Sequence, residues 1–154
     1  MEPSSVRTDR RRQLDEIAEA LPQRAATLSR LFLQRTTVAI TRTEAGVLYA
    51  LRDRPRRITE LAAHEGVTQP AITLLVNRLE QRDWLHRGAD PSDGRVVLVS
   101  LTHAGRHVLG ELRSEYRALL HEEMATLEGN DVEALARAIE ILDDLIDNLE
   151  ERGR

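Results

Sequence analysis

ITELAAHEGVTQPAITLLVNRLEQRDWLHRGADPSDGRVVLVSLT, residues 58–102, reads as two short helices around a tight turn, followed by a strand, a charged loop and a second strand. Two closely crossing helices need small residues at the contact and a residue between them that tolerates positive φ; Ala62 and Gly66 meet those needs. Thr59 is expected to cap the first helix, whose apolar side holds Ile58, Leu61 and Ala62. Thr68 is expected to cap the second, with Gln69 and Pro70 in a first turn where proline's missing N–H costs nothing.

In that second helix Ile72, Leu75, Val76 and Leu79 recur at the spacing of one buried stripe. At about 100° per residue, Pro70, Thr73, Leu74, Asn77 and Gln81 turn to the opposite side. Small and amide side chains on such a face suit a major groove, where they meet base edges, and the helix N-terminus suits a phosphate. The β-branched run from Val96 to Thr102 predicts a strand, and the Asp, Pro, Ser and Gly cluster before it predicts a hairpin loop. Arg95 then sits at a wing tip, in reach of a minor groove, with Asp93 two residues away and placed to hold its guanidinium.

These residues resemble the MarR (multiple antibiotic resistance regulator) family of winged helix-turn-helix transcription factors. The resemblance is carried by Leu61-Ala62, Gly66-Val67-Thr68, Val76-Asn77-Arg78-Leu79-Glu80, and Asp93-Gly94-Arg95 through Val99-Ser100-Leu101-Thr102, with Gly105 beyond. It implies an obligate homodimer on a near-palindromic operator, usually released by a small ligand, with the first and last helices of two chains interleaved. Two positions depart from the family pattern. Leu74 stands where many members carry arginine, so a methyl contact to thymine replaces a frequent polar one. Asp83 stands where glycine commonly follows the recognition helix, and aspartate is among the few residues that tolerate a left-handed cap.

Outward from this core the chain reads as mainly helical. Leu14, Ile17, Ala18 and Leu21 predict a helix that Pro22 either kinks or follows by starting the next one, and Ala25, Leu28, Leu31 and Phe32 continue the pattern. Residues 43–51 predict a further helix. Thr102 caps a long one that is expected to end near Gly129-Asn130. Val132, Leu135, Ile139, Leu142, Ile146 and Leu149 are spaced alternately three and four apart, a heptad-like seam that calls for a partner helix. The expected architecture is one domain over residues 1–154, with a winged helix-turn-helix at 43–102 between dimerisation helices at 10–42 and 103–150.

With 154 residues and no cysteine, the chain suits one domain without disulfides, thiolate metal sites or thiol chemistry. No apolar run approaches a membrane span and the N-terminal stretch is polar and Arg-rich, so a cytoplasmic location is expected. The net charge of -4 is uneven: residues 1–51 carry +2, residues 52–106 carry +2, and residues 107–154 carry -8. The reading head is thus the non-acidic part, and its small excess predicts weak sequence-independent binding.

His103, His107 and Glu111 share a helix face, but such spacing is common and a structural zinc site usually wants four ligands, so no metal and no cofactor are expected. No nucleophile motif or phosphate loop argues for an enzyme. The expected function is a homodimeric repressor of double-stranded DNA, with a small-molecule effector as a further partner. Gln69, Thr73, Leu74 and Asn77 would read bases; Thr68, Pro70 and Arg78 would meet the backbone; Arg95, oriented by Asp93, would anchor the wing. Arg56 and Arg57 are further backbone candidates, and Phe32, Tyr49 and Tyr116 are candidate effector liners. The competing class is a winged helix that binds protein and has no DNA role.

Overall fold

A computed structural model describes residues 3–152, with side chains from residue 8; the outer ends of a domain over 1–154 lie outside the described residues. The elements run α1 (Pro3–Arg35), α2 (Arg42–Ala50), α3 (Ile58–Glu65), α4 (Gln69–Gln81), β1 (Leu85–Ala89), β2 (Val97–Leu101), α5 (His103–Met124) and α6 (Gly129–Arg152). This is the mainly helical fold with a small β-wing that the sequence predicts. Two compact units divide it, residues 1–113 and residues 114–154. No described helix is long and apolar enough to cross a membrane.

In the first unit the core gathers Val47 and Leu48 of α2, Leu61 of α3, Ile72, Val76 and Leu79 of α4, Val99 of β2 and Leu109 of α5. Helix α2 begins with a reciprocal cap in which Thr41 N–H donates to Glu44 Oε2 at 2.8 Å and Glu44 N–H donates to Thr41 Oγ1 at 3.3 Å. Helix α3 starts earlier than the sequence suggests: its N-cap is Arg57, and Thr59 lies inside it. The reason is Glu60, whose carboxylate accepts the Arg57 N–H at 2.8 Å and does the capping that Thr59 was expected to do. Gly66 ends α3 at φ 64°, ψ 32°, the left-handed geometry needed between the crossing helices.

The antiparallel sheet pairs Leu85 with Leu101 through to Ala89 with Val97. A third segment joins it, because Arg56 exchanges both backbone hydrogen bonds with Val99, at 3.0 and 2.8 Å. Asp83 turns the chain from α4 into β1 at φ 57°, the left-handed cap expected of it. Its carbonyl accepts the Thr102 hydroxyl at 2.5 Å, and Thr102 Oγ1 in turn accepts the Gly105 N–H at 2.9 Å, so Thr102 caps α5 and ties it to the end of α4.

Gly105 is buried where a Cβ would overlap the Trp84 carbonyl. Alanine gains at most about 1 kcal/mol in helix propensity, while forced overpacking costs about 1–3 kcal/mol. Gly105→Ala should therefore lower stability in a urea melt; an unchanged or higher midpoint would contradict this packing.

Two boundaries differ from expectation. Helix α1 continues through Pro22, so the proline does not start a new helix. The acceptor that proline leaves unpaired, four residues back at Ala18, lies on an exposed stretch where solvent can satisfy it. Helix α5 ends at Met124, and Gly129 opens α6 instead of closing α5, with the Glu128 carbonyl accepting the Asp131 and Val132 N–H groups at 3.1 Å. Within the second unit α6 buries none of its residues. Its seam is bare, with Ile139 59% and Leu149 68% exposed.

Candidate nucleic-acid interface

Helix α4 starts after Thr68, which has the extended N-cap backbone at φ −74°, ψ 153°, although its hydroxyl makes no capping bond. Ile72, Leu75, Val76 and Leu79 are buried, and this fixes the rotation of the helix. Gln69, Pro70, Thr73, Leu74, Asn77 and Arg78 are consequently exposed, as is Thr68 ahead of them. Leu74 is 66% exposed, far more than a side chain of its size needs for core packing. The Thr73 hydroxyl donates to the Gln69 carbonyl at 2.8 Å, so it faces outward with a methyl group and acceptor lone pairs.

The wing loop is built around two carboxylates. Asp90 Oδ1 accepts the Ser92 N–H at 2.8 Å and the Ser92 hydroxyl at 2.6 Å. Val96 N–H donates to the Asp93 carbonyl at 2.9 Å. Asp93 Oδ1 accepts the backbone N–H of Arg95 at 3.1 Å. It was expected to hold the Arg95 guanidinium; it shapes the loop instead, since the nearest donor two residues on is a backbone amide.

The Ser92 hydroxyl, followed by the Ser92 N–H, holds the Asp90 carboxyl below the ordinary aspartate range. Because the folded value is the lower one, this contribution is complete above the unfolded value and disappears as pH falls through the folded value. An NMR titration of Asp90 should therefore show a midpoint below about 3.9. A midpoint at or above that value would mean the loop is not tied in this way.

Of the arginines in residues 52–106, several are engaged within the protein. Arg52 pairs with Asp53 at 2.9 Å and Arg54 with Glu60 at 3.1 Å. Arg56 donates to the Ala50 carbonyl at 2.6 Å, so this backbone candidate is a structural strut. Arg82 donates to the Ala39 carbonyl at 2.9 Å and lies 3.5 Å over the Trp84 ring. Arg106 donates to the Leu101 carbonyl at 2.8 Å. Arg57, Arg78 and Arg95 are exposed, and no ion pair or hydrogen bond of their side chains is found among the described residues. Arg78 was weighed as a partner of Glu80 or Asp83. It has neither, because residues two apart on a helix do not face one another and Glu80 is taken by Arg87.

Arg87 is the residue that sequence reading missed: its Nη2 donates to Asn77 Oδ1 at 2.8 Å, and it pairs with Glu80. The available signal was strand alternation, which puts Arg87 on the same side as Leu85, facing α4. Elsewhere, half-buried Tyr49 packs against the core, and burial raises its phenol above the ordinary range. His107 Nδ1 lies 3.6 Å from Glu111, and no three metal-ligand side chains converge among the described residues.

Residues 40–97, which span the helix pair and most of the wing, match the MarR family. An uncharacterised HTH-type transcriptional regulator of Mycobacterium bovis is 31% identical over 87 residues, 56% of this chain and 61% of its own length. The transcriptional regulator AdcR of Streptococcus pneumoniae is 31% identical over 91 residues. The matched segment spans 62% of AdcR and 58% of this chain, so the chain spans about three fifths of the curated relatives it matches. A solved structure of a probable transcriptional regulator from Pseudomonas aeruginosa is 30% identical, with a TM-score of 0.61, covering 84% of this chain and 98% of that one. With the helix pair, the wing and these matches in agreement, the chain belongs to the MarR family.

Proposed function

We propose that this chain is a sequence-specific regulator of transcription that binds double-stranded DNA as a homodimer in the cytoplasm and represses by occupying a near-palindromic operator. One observation carries the reading. Gln69, Thr73, Leu74 and Asn77 stand exposed along a helix whose other side is fully core, beside a wing whose Arg95 is free to meet a phosphate. Two such helices would enter successive major grooves about 34 Å apart, with wings in the flanking minor grooves. Base reading falls to those four residues, backbone positioning to Thr68, Pro70 and Arg78, and wing anchoring to Arg95 on a loop shaped by Asp93.

The second copy is argued from the bare apolar residues. Leu14, Ile17, Leu28 and Leu31 on α1, and the seam residues of α6 from Val132 to Leu149 apart from half-buried Leu142, are exposed in the single chain. Apolar stripes of that length ask for a covering helix. Release by a small effector completes the proposal: a ligand that prefers one spacing of the two reading heads lowers affinity for a duplex that fixes another.

The decisive experiment is selection of random duplex DNA by the purified chain at low salt. It should return a motif with two-fold symmetry. Failure to enrich any duplex would favour a protein-binding winged helix.

Counting Arg57, Arg78 and Arg95 from each of two chains as phosphate ligands predicts a slope of log affinity against log salt of about −5. Arg95→Ala should weaken binding to all sequences and flatten that slope by about 2 per dimer, while Asn77→Ala should change sequence preference. Unchanged affinity for both variants in a gel-shift titration would refute these roles.

A further inference from the structure

Arg87 is half-buried on β1, and three of its groups engage α4. Its backbone N–H donates to Glu80 Oε1 at 3.1 Å, its guanidinium pairs with Glu80 Oε2, and its Nη2 donates to Asn77 Oδ1 at 2.8 Å. Asn77 and Glu80 are three residues apart on α4, so one planar guanidinium reaches both.

An asparagine amide can ordinarily be turned either way, presenting oxygen or nitrogen. A guanidinium has donors only, so the atom of Asn77 facing Arg87 must be the oxygen, and the charge makes that bond stronger than a neutral one. The two Nδ2 hydrogens are left to face elsewhere. A free asparagine reads adenine by using oxygen and nitrogen together, accepting from N6 and donating to N7. With its oxygen turned toward Arg87, Asn77 presents Nδ2 to the groove; guanine (O6, N7) and thymine (O4) offer it acceptors, whereas adenine offers N7 but leaves its N6 donor without a partner.

We propose that Arg87 is a positioning residue that sets the base preference of Asn77, holding its carbonyl oxygen inward so that the side chain reads a base acceptor in the major groove. The proposal rests on α4 being the DNA probe, and the test separates the two ideas. Random-duplex selection is run on the full-length protein and on the double variant Arg87→Met, Glu80→Gln, which leaves net charge unchanged and no carboxylate unpaired. The native protein should enrich guanine or thymine at one position of each half-site. The double variant should move that position toward adenine by about tenfold in relative preference, with the rest of the motif and the salt slope intact.

A base profile that does not change at any position overturns the proposal. So does a salt slope that flattens by about 2 per dimer, which would make Arg87 a direct phosphate ligand. If the native protein enriches no duplex at all, the DNA reading itself falls. Asn77→Asp guards against a misfolded double variant, because it keeps an acceptor for Arg87 while exchanging the amide donor for a second carboxylate oxygen and one negative charge. It should lose the preference at that same position while melting like the native protein, and retention of the preference would also overturn the assignment.

Discussion

Replacing Ile139 and Ile146 with aspartate should convert the chain to a monomer and lower its affinity for a two-half-site operator by about 10²–10⁴-fold. Both side chains lie on the bare seam of α6, more than half exposed in the single chain. A carboxylate placed on each stripe would have to be buried unpaired when two copies meet, a cost that seam packing cannot offset. Dimerisation makes the second half-site contact intramolecular, and losing that effective concentration removes avidity of the stated size without altering a single base contact. Light scattering of the purified variant should give the monomer mass, and its circular dichroism should remain helical. A variant that stays dimeric, or a monomer that binds the full operator as tightly as the native chain, would sink the proposed assembly.

The second large effect is expected at Ile72. This side chain is fully buried beneath the exposed face of α4, in one core cluster with Leu61 and Val76. Ile72→Ala should cost about 2–5 kcal/mol, from lost transfer energy and the cavity left behind, whereas Ile72→Val should cost about 0.5–1.5 kcal/mol. The loss is large beside a whole-domain stability of about 5–15 kcal/mol. Denaturant melts of the two variants check the ordering. Near-native stability for Ile72→Ala would mean that α4 is not seated as described, and the outward phase of Asn77 and Leu74 would lose its support.

The fold is legible in the sequence where only local physics decides. The start of α4 followed from Thr68 and Pro70, its buried stripe from apolar spacing, and the left-handed turns at Gly66 and Asp83 from the short list of residues that tolerate them. Errors arose where a stronger or more distant partner won. Thr59 looked like a cap because hydroxyls are preferred there, but the reach of Glu60 back to the Arg57 amide moved the start of α3. Gly129 looked like a helix stop, yet a glycine can equally open a helix, as it does for α6. Pro22 is tolerated because it sits on an exposed stretch of α1. Arg87 was missed because its partners lie seven and ten residues away across a turn, a distance over which no periodicity operates. Proximity in sequence pairs the Arg95 guanidinium with Asp93, but the Arg95 backbone amide takes the Asp93 carboxylate instead.

The backbone bridge between Arg56 and Val99 has a mechanical meaning. It makes the entry to α3 the third rail of the wing sheet, so β2 is held on both edges at its middle residue, Val99, while the loop beyond Ala89 and Val97 extends past the bridge. A torque applied to the tip by a duplex of unsuitable groove width would be delivered to the start of α3 through the bridge and to α4 through Arg87. On the proposed DNA-binding reading, the hairpin would act as a lever with the bridge as its fulcrum, and DNA shape would be felt by the helix pair at base steps that no side chain touches.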